Sequence, residues 1–251
     1  MSARFALDGR VALVTGSSRG IGYGIAEALA EAGAHVVLNG LDGGRLDRAV
    51  ATLREAGRRV SAMGFDATDP AAVRRAVGAV VAAHGRLDVA VANAGTTVRK
   101  PLLSLTPDDV RFQMEINVES CLHLAQAAAA HMIGRGAGRI ILVASFIGPR
   151  ARPNIPAYVA SKAAVRGLAA ALAVELGPKG ITCNAIGPGY TMTDAHTRAS
   201  NDDPWVAQRI PLGRWGTPRD VGGAAVFLAS DAGGYCNGHT LVVDGGISVN
   251  A

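Results

Sequence analysis

Tyr158 and Lys162 stand four residues apart in the run PAYVASKAAV. In a helix, residues i and i+4 share a face, so this spacing brings a phenol and an ammonium to one site. A free phenol ionises near ~10 and is a weak base at neutral pH. A fixed cation one turn away favours the ionised form, which suits proton exchange with a substrate hydroxyl. Upstream, Ser145 ends the apolar run GRIILVAS, and its hydroxyl can bond the same substrate oxygen. No Asp-His pair accompanies it, which argues against a serine nucleophile and a hydrolase. Alone, a Tyr-x-x-x-Lys pair is common on solvated helix faces, and a lone serine often caps a loop. The elements that carry these residues therefore matter.

Strand-like and helix-like runs alternate along the chain. RVALVTG, AHVVLNG, RVSAMGFDA, LDVAVANAG, GRIILVAS, GITCNAIGPG and HTLVVDGG read as seven strands. GIGYGIAEALAEAG is helical, with Gly33 as its stop, and RLDRAVATLREAG is amphipathic. Asp69 and Pro70 open a third helix. Thr106, Pro107, Asp108 and Asp109 open a long one, read as unbroken through Met132, and Thr217 with Pro218 opens the last. Continuously apolar strands indicate a sheet covered on both faces. Strand-helix alternation indicates parallel pairing through right-handed crossovers. The expectation is an α/β, doubly wound parallel seven-stranded sheet with helices on both faces, a Rossmann fold, as one domain over residues 1–251. The stretch from Tyr190 to Trp215 breaks the rhythm and reads as a substrate lid over about 190–215.

Composition narrows the class. Of 251 residues, 49% are hydrophobic and 4% aromatic, which suits a globular core. No apolar run looks long enough to cross a bilayer, and the first residues lack a signal-peptide core, so a cytoplasmic protein is expected. Cys121, Cys183 and Cys236 are widely spaced, form no metal-ligand pattern, and read as small buried hydrophobes. The net charge of +5 is spread over scattered arginines without interleaved aromatics, so no nucleic-acid partner is expected. An anionic cofactor or substrate fits that balance.

Gly16, Gly20 and Gly22 in VTGSSRGIG lie between a β-branched strand and an amphipathic helix. Glycines let backbone N–H groups approach a pyrophosphate, and the helix N-terminus adds a favourable dipole. This G-x-x-x-G-x-G spacing resembles that of the short-chain dehydrogenase/reductase family. NAG at Asn93 to Gly95, Asp66 after the third strand, GPG at Gly187 to Gly189 and Thr193 match further family motifs. Asn117, Ser145, Tyr158 and Lys162 match its catalytic tetrad in order and spacing. The resemblance implies hydride transfer between an alcohol carbon and a nicotinamide dinucleotide. Tyr158 would exchange the proton, Ser145 bond the same oxygen, Lys162 tune the phenol and hold the ribose, and Asn117 hold a relay water. The alternative for Asn117 is a buried amide satisfied by a backbone carbonyl; the resemblance decides for the relay. Cofactor contacts are implied at Gly16, Ser18, Arg19, Gly20, Ile21, Gly22, Asn39, Asp66, Ala67, Asn93, Ala94, Gly95, Tyr158, Lys162, Pro188, Gly189 and Thr193.

Gly40 occupies the place where NAD-preferring relatives carry an acid for the ribose 2′-OH. Leu41 follows, where NADP-preferring relatives often carry arginine. Arg19 remains as a partner for a 2′-phosphate, while Asp42 could turn toward a 2′-OH. NADP is favoured over NAD. Arg99, Arg150 and Arg152, with Tyr190 and His196, are the candidate substrate contacts, and cations around one pocket suit a carboxylate. RKPLLSLT, ARPNIPAY, AIGPGYTMT and GRWGTP are similar to the gluconate 5-dehydrogenase-like, sugar-acid branch of the family. The alternatives are a 3-oxoacyl-carrier-protein reductase and, of another class, a non-catalytic cofactor-sensing protein. The family implies a homotetramer, and the Ala-rich runs AQAAAAHM and AAALAVEL permit close helix approach.

Overall fold

The structure, a computed structural model, describes residues 3–194 and 204–250. Seven short apolar runs pair into one sheet: Val11–Val14 (β1), His35–Asn39 (β2), Val60–Met63 (β3), Val89–Ala92 (β4), Gly138–Val143 (β5), Ile181–Pro188 (β6) and Thr240–Val243 (β7). Their order is β3-β2-β1-β4-β5-β6-β7, with every pair parallel. The strand order reverses between β1 and β4, which opens a crevice at their carboxyl ends.

Eight helices connect and cover the described strands: Gly20–Glu31 (α1), Gly43–Glu55 (α2), Pro70–His84 (α3), Pro107–Met114 (α4), Ser120–Met132 (α5), Pro156–Leu176 (α6), Pro204–Arg209 (α7) and Pro218–Ala229 (α8). Strand side chains point alternately to the two faces. Ala12 and Val14 join the core under α1, α2 and α8, while Val11 and Leu13 join the core under α3, α5 and α6. Burial on both sides is why these strands read as unbroken apolar runs. The third strand is shorter than RVSAMGFDA suggests; it ends at Met63, because Gly64 to Thr68 turn away toward Asp69.

The helix starts follow local chemistry. The Asp69 carboxylate accepts from Ala71 N at 2.8 Å. Thr106 and Asp109 form a reciprocal capping box, as do Thr217 and Asp220. Lys100 also holds the Asp109 carboxylate, at 2.7 Å. These contacts lower the Asp109 carboxyl to about 2, the Lys100 ammonium first and the Thr106 groups after it. A carboxyl lowered by folding stabilises the fold above its unfolded value, and that contribution is lost as pH falls through the folded value. Asp109→Asn is therefore expected to lower the melting temperature at neutral pH. The difference from the unsubstituted protein should close as pH drops from about 4 toward about 2. Calorimetric scans across that window check this; a difference that persists at the acid end refutes it.

Two expectations need correction. The helix expected to run unbroken to Met132 is interrupted by a π-helical segment at Glu115–Glu119, centred on Asn117. Such wide turns arise where one residue too many is fitted into a helix, and they gather at functional sites. Here the Asn117 side chain is pulled toward Thr96 and Ser161, away from a regular helical position. Secondly, one apolar run is long enough to cross a bilayer: α6 with its C-terminal turn, Pro156–Lys179, has a mean hydropathy of 1.3. It packs instead on the sheet through Val165, Ala169, Ala173 and Leu176, and only 33% of its apolar window is buried within the chain.

Candidate active site

The carboxyl ends of β1, β4, β5 and β6 open into one cleft of about 480 Å³. Its lining includes Ser145, Tyr158 and Lys162 at one end and Gly16, Arg19, Gly20, Ile21 and Gly22 at the other. The fold therefore gathers residues spread over some 150 positions of chain.

At the glycine end, β1 passes into α1 through backbone that side chains would obstruct. Gly16 and Gly20 have φ of 61° and 57°, in the left-handed region. A Cβ on Gly22 would lie 2.3 Å from the Gly16 carbonyl oxygen and 2.4 Å from Asn93 Nδ2. Asn93 closes this turn: its Nδ2 donates to Thr15 O at 3.0 Å and Gly16 O at 2.9 Å. Thr15, which the sequence reading did not single out, accepts from Asn93 N and Ala94 N at its hydroxyl. The only signal for it was its place before Gly16. With Arg19 exposed beside it and the α1 N-terminus facing the cleft, this cradle fits a dinucleotide phosphate.

At the other end, Ser145 directly follows β5 and Ala144, and is buried. Its hydroxyl accepts from Ile147 N at 3.1 Å. Tyr158 and Lys162 lie on the first turns of α6, with the Lys162 nitrogen 5.9 Å from the Tyr158 ring centroid. Lys162 is 5% exposed, and its ammonium donates to Val143 O at 2.7 Å. That fixes the head of a long side chain, with further ammonium hydrogens available for oxygens of a bound ligand. The Asn117 amide donates to Thr96 O at 3.1 Å and Ser161 Oγ at 2.9 Å, while its oxygen accepts from Thr96 N at 2.9 Å. Ser161 in turn donates to Tyr158 O at 2.8 Å. Both amide donors of Asn117 are thus engaged within the protein, tying the turn after β4 to α6. A Cβ on Gly95 would lie 2.9 Å from Asn117 Oδ1 and 3.6 Å from Lys162 Nζ, so glycine leaves that corridor open.

Other expected contacts sort by position. Asn93, Gly95, Pro188, Gly189, Thr193, Arg99, Arg152 and Tyr190 line the cleft. Ser18, Asn39, Asp66, Ala67, Ala94 and Arg150 lie outside its lining. Asn39 is buried, accepts from Gly16 N, and donates to Met63 O and Phe65 O, so it braces the loops behind the cleft. Asp66 is exposed and accepts from Thr68 N and Thr68 Oγ1. Arg150 donates to Ser248 O, in the C-terminal segment. His196 lies outside the described residues. The sequence reading missed Gln113, which is wholly buried and holds Val98 N and Thr96 O at 2.7 Å each. Nothing in a lone Gln near the end of α4 announces that role. Cys121 and Cys183 are buried as expected, and burial pushes the Cys183 thiol up to about 12. That leaves it inert at neutral pH.

Comparison with known proteins agrees with this arrangement. The family model described as Enoyl-(Acyl carrier protein) reductase matches residues 16–248. Gluconate 5-dehydrogenase of Gluconobacter oxydans is 41% identical over 249 residues, 98% of this chain and 97% of that protein. 2-Dehydro-3-deoxy-D-gluconate 5-dehydrogenase of Bacillus subtilis is 40% identical over 246 residues, 96% of each. The crystal structure of a gluconate 5-dehydrogenase from Burkholderia cenocepacia in complex with NADP and tartrate aligns with a TM-score of 0.92 at 41% identity, covering 99% of this chain and 98% of that one. With its parallel sheet, its glycine cradle and these full-length similarities, the chain belongs to the short-chain dehydrogenase/reductase family and is an oxidoreductase acting on CH–OH groups.

Proposed function

We propose that this oxidoreductase interconverts a secondary alcohol and a ketone on a sugar acid, in the manner of a gluconate 5-dehydrogenase, with NADP(H). The carrying observation is one cleft that has Ser145, Tyr158 and Lys162 at its floor and the guanidinium-bearing Arg99 and Arg152 in its lining. A bound nicotinamide dinucleotide supplies or accepts the hydride. Tyr158 takes the hydroxyl proton in oxidation and returns it in reduction. Ser145 donates to the same oxygen and fixes its position. Lys162 keeps positive charge beside the phenol and reaches the ribose. Asn117 holds Thr96 and Ser161 so that the floor keeps its shape.

Two features support NADP, against Leu41, which is 77% exposed and offers no charge to a 2′-phosphate. Gly40 carries no acid for a 2′-OH. Asp42 is engaged as the N-cap of α2, accepting from Arg45 N at 3.0 Å, and that bond first among its contacts lowers its pKa. It is therefore turned toward α2, which leaves Arg19 as the charged group beside the glycine loop. NADP is also present in the Burkholderia relative.

The chain acts as one domain, with a substrate lid at about 190–215, of which 195–203 lie outside the described residues. Tyr190 supports this by edge-on ring contacts with both Trp205 and Trp215, from the later part of that segment. The protein is a cytoplasmic homotetramer in this reading, with a small molecule as its other partner. The largely unburied apolar face of α6, where Val174 is 80% exposed, supports assembly through that helix.

The test is a screen by reduced-nicotinamide absorbance, crossing NADP and NAD with gluconate, neutral polyols and, in the reducing direction, acetoacetyl thioesters. Gluconate with NADP is expected to react fastest. Turnover of thioesters alone would indicate a 3-oxoacyl-carrier-protein reductase, and cofactor binding without turnover a sensing protein. Light scattering on the same preparation should give about four chain masses; a monomer would remove the tetramer.

A further inference from the structure

We infer that Arg152, seated on Tyr190, is the receptor for the carboxylate of an acidic substrate, and that Tyr190 is the positioning residue that makes it selective. This rests on the sugar-acid reading above.

The guanidinium carbon of Arg152 lies 5.3 Å from the Tyr190 ring centroid, and its Nη1 donates to the Tyr190 hydroxyl. One phenol thus holds the guanidinium both by its π face and by its oxygen. Tyr190 is itself fixed on three sides, by Phe146 at 5.3 Å, Trp205 at 5.0 Å and Trp215 at 5.1 Å between ring centroids. An arginine on the surface loses much rotamer freedom when it binds a ligand; one already seated loses less. Its planar fork matches a carboxylate through two parallel hydrogen bonds.

The surrounding charges leave room for an anion. Lys100 is ion-paired with Asp109, and Arg150 is turned to Ser248, so neither is directed at the cleft. Arg99 lines the cleft and stands near enough to Tyr190 to favour its ionised form. Burial outweighs both arginines and raises the Tyr190 phenol above its ordinary value, so the hydroxyl keeps its proton. Accepting from Arg152, that hydroxyl can donate its own hydrogen onward to a carboxylate. Among the described lining residues the one carboxylate is Asp194, next to Thr193, whose methyl lies 3.5 Å from where a Gly20 Cβ would sit. It therefore belongs to the glycine end. A neutral polyol offers this pair of cations nothing to neutralise.

The experiment compares kcat/KM for gluconate with that for sorbitol, using NADP and the full chain. In Tyr190→Phe the ring stays and the hydroxyl goes. Its acid selectivity is expected to fall about tenfold, with most of the loss in the KM for gluconate, as for removal of one charge-assisted hydrogen bond. Arg152→Gln should lower it further, and Arg152→Lys should restore part. Tartrate titrated into the NADP-saturated protein should bind more weakly in the same order. Selectivity unchanged in Tyr190→Phe, or equal losses on both substrates, overturns the Tyr190 role and leaves the sugar-acid reading standing. An unsubstituted protein that uses sorbitol as well as gluconate overturns both.

Discussion

Replacing Tyr158 with Phe is expected to lower turnover by at least ~10², the usual contribution of a positioned general acid or base. The substitution removes one oxygen and keeps the ring, so the packing of α6 and the contact with the Lys162 ammonium at 5.9 Å stay in place. Cofactor binding should survive, because Lys162 is anchored independently on Val143 O. Ser145 remains to hold the substrate oxygen, so KM should move much less than kcat. The reason for so large a loss is that no other described group at the floor of the cleft is suited to carry the proton. The Asn117 amide is held by Thr96 and Ser161, and an ammonium fixed on a carbonyl is not a base. Paired measurements of NADPH binding by fluorescence and of turnover decide the matter. Near-normal turnover with intact binding would end the assignment of Tyr158.

Gly22→Ala should damage the other end of the same cleft. The added Cβ would lie 2.3 Å from Gly16 O and 2.4 Å from Asn93 Nδ2, closer than carbon can approach either. Neither neighbour can yield easily. The Gly16 carbonyl is part of the left-handed turn, and Asn93 is tied to Thr15 O and Gly16 O. Overpacking of this kind is unfavourable by about 1–3 kcal/mol. Taken up by the phosphate cradle, that amounts to roughly 5- to 150-fold weaker NADP binding. Gly78→Ala is the control: its Cβ meets nothing within 4 Å on α3, and it should stabilise the fold by up to about 1 kcal/mol without touching the cleft. Thermal shifts with and without NADP separate the two effects. If Gly22→Ala keeps a full NADP-induced shift, the cradle lies elsewhere.

Much of this architecture was open to inspection in the letters alone. Short, continuously apolar runs alternating with helical ones indicate inner parallel strands, and the caps at Asp69, Thr106 and Thr217 act through their immediate neighbours. Such features depend on contacts within a few residues, so spacing and residue type suffice to locate them. Tyr158 and Lys162 likewise share one helix face because four residues make about one turn. What folding alone settled lies in contacts between distant segments. The wide turn at Asn117 depends on Thr96 and Ser161, some twenty and forty positions away. Asn39 has the residue type of a cofactor contact, yet it bonds to Gly16 N, Met63 O and Phe65 O, 23 to 26 positions away, and stands outside the cleft lining. The arginines show the limit most clearly: Arg150 and Arg152 are two letters apart, but one turns to the C-terminal segment and the other rests on Tyr190. Composition records how many charges a chain carries; only the folded surroundings, by neutralising some and seating others, decide which of them a substrate meets.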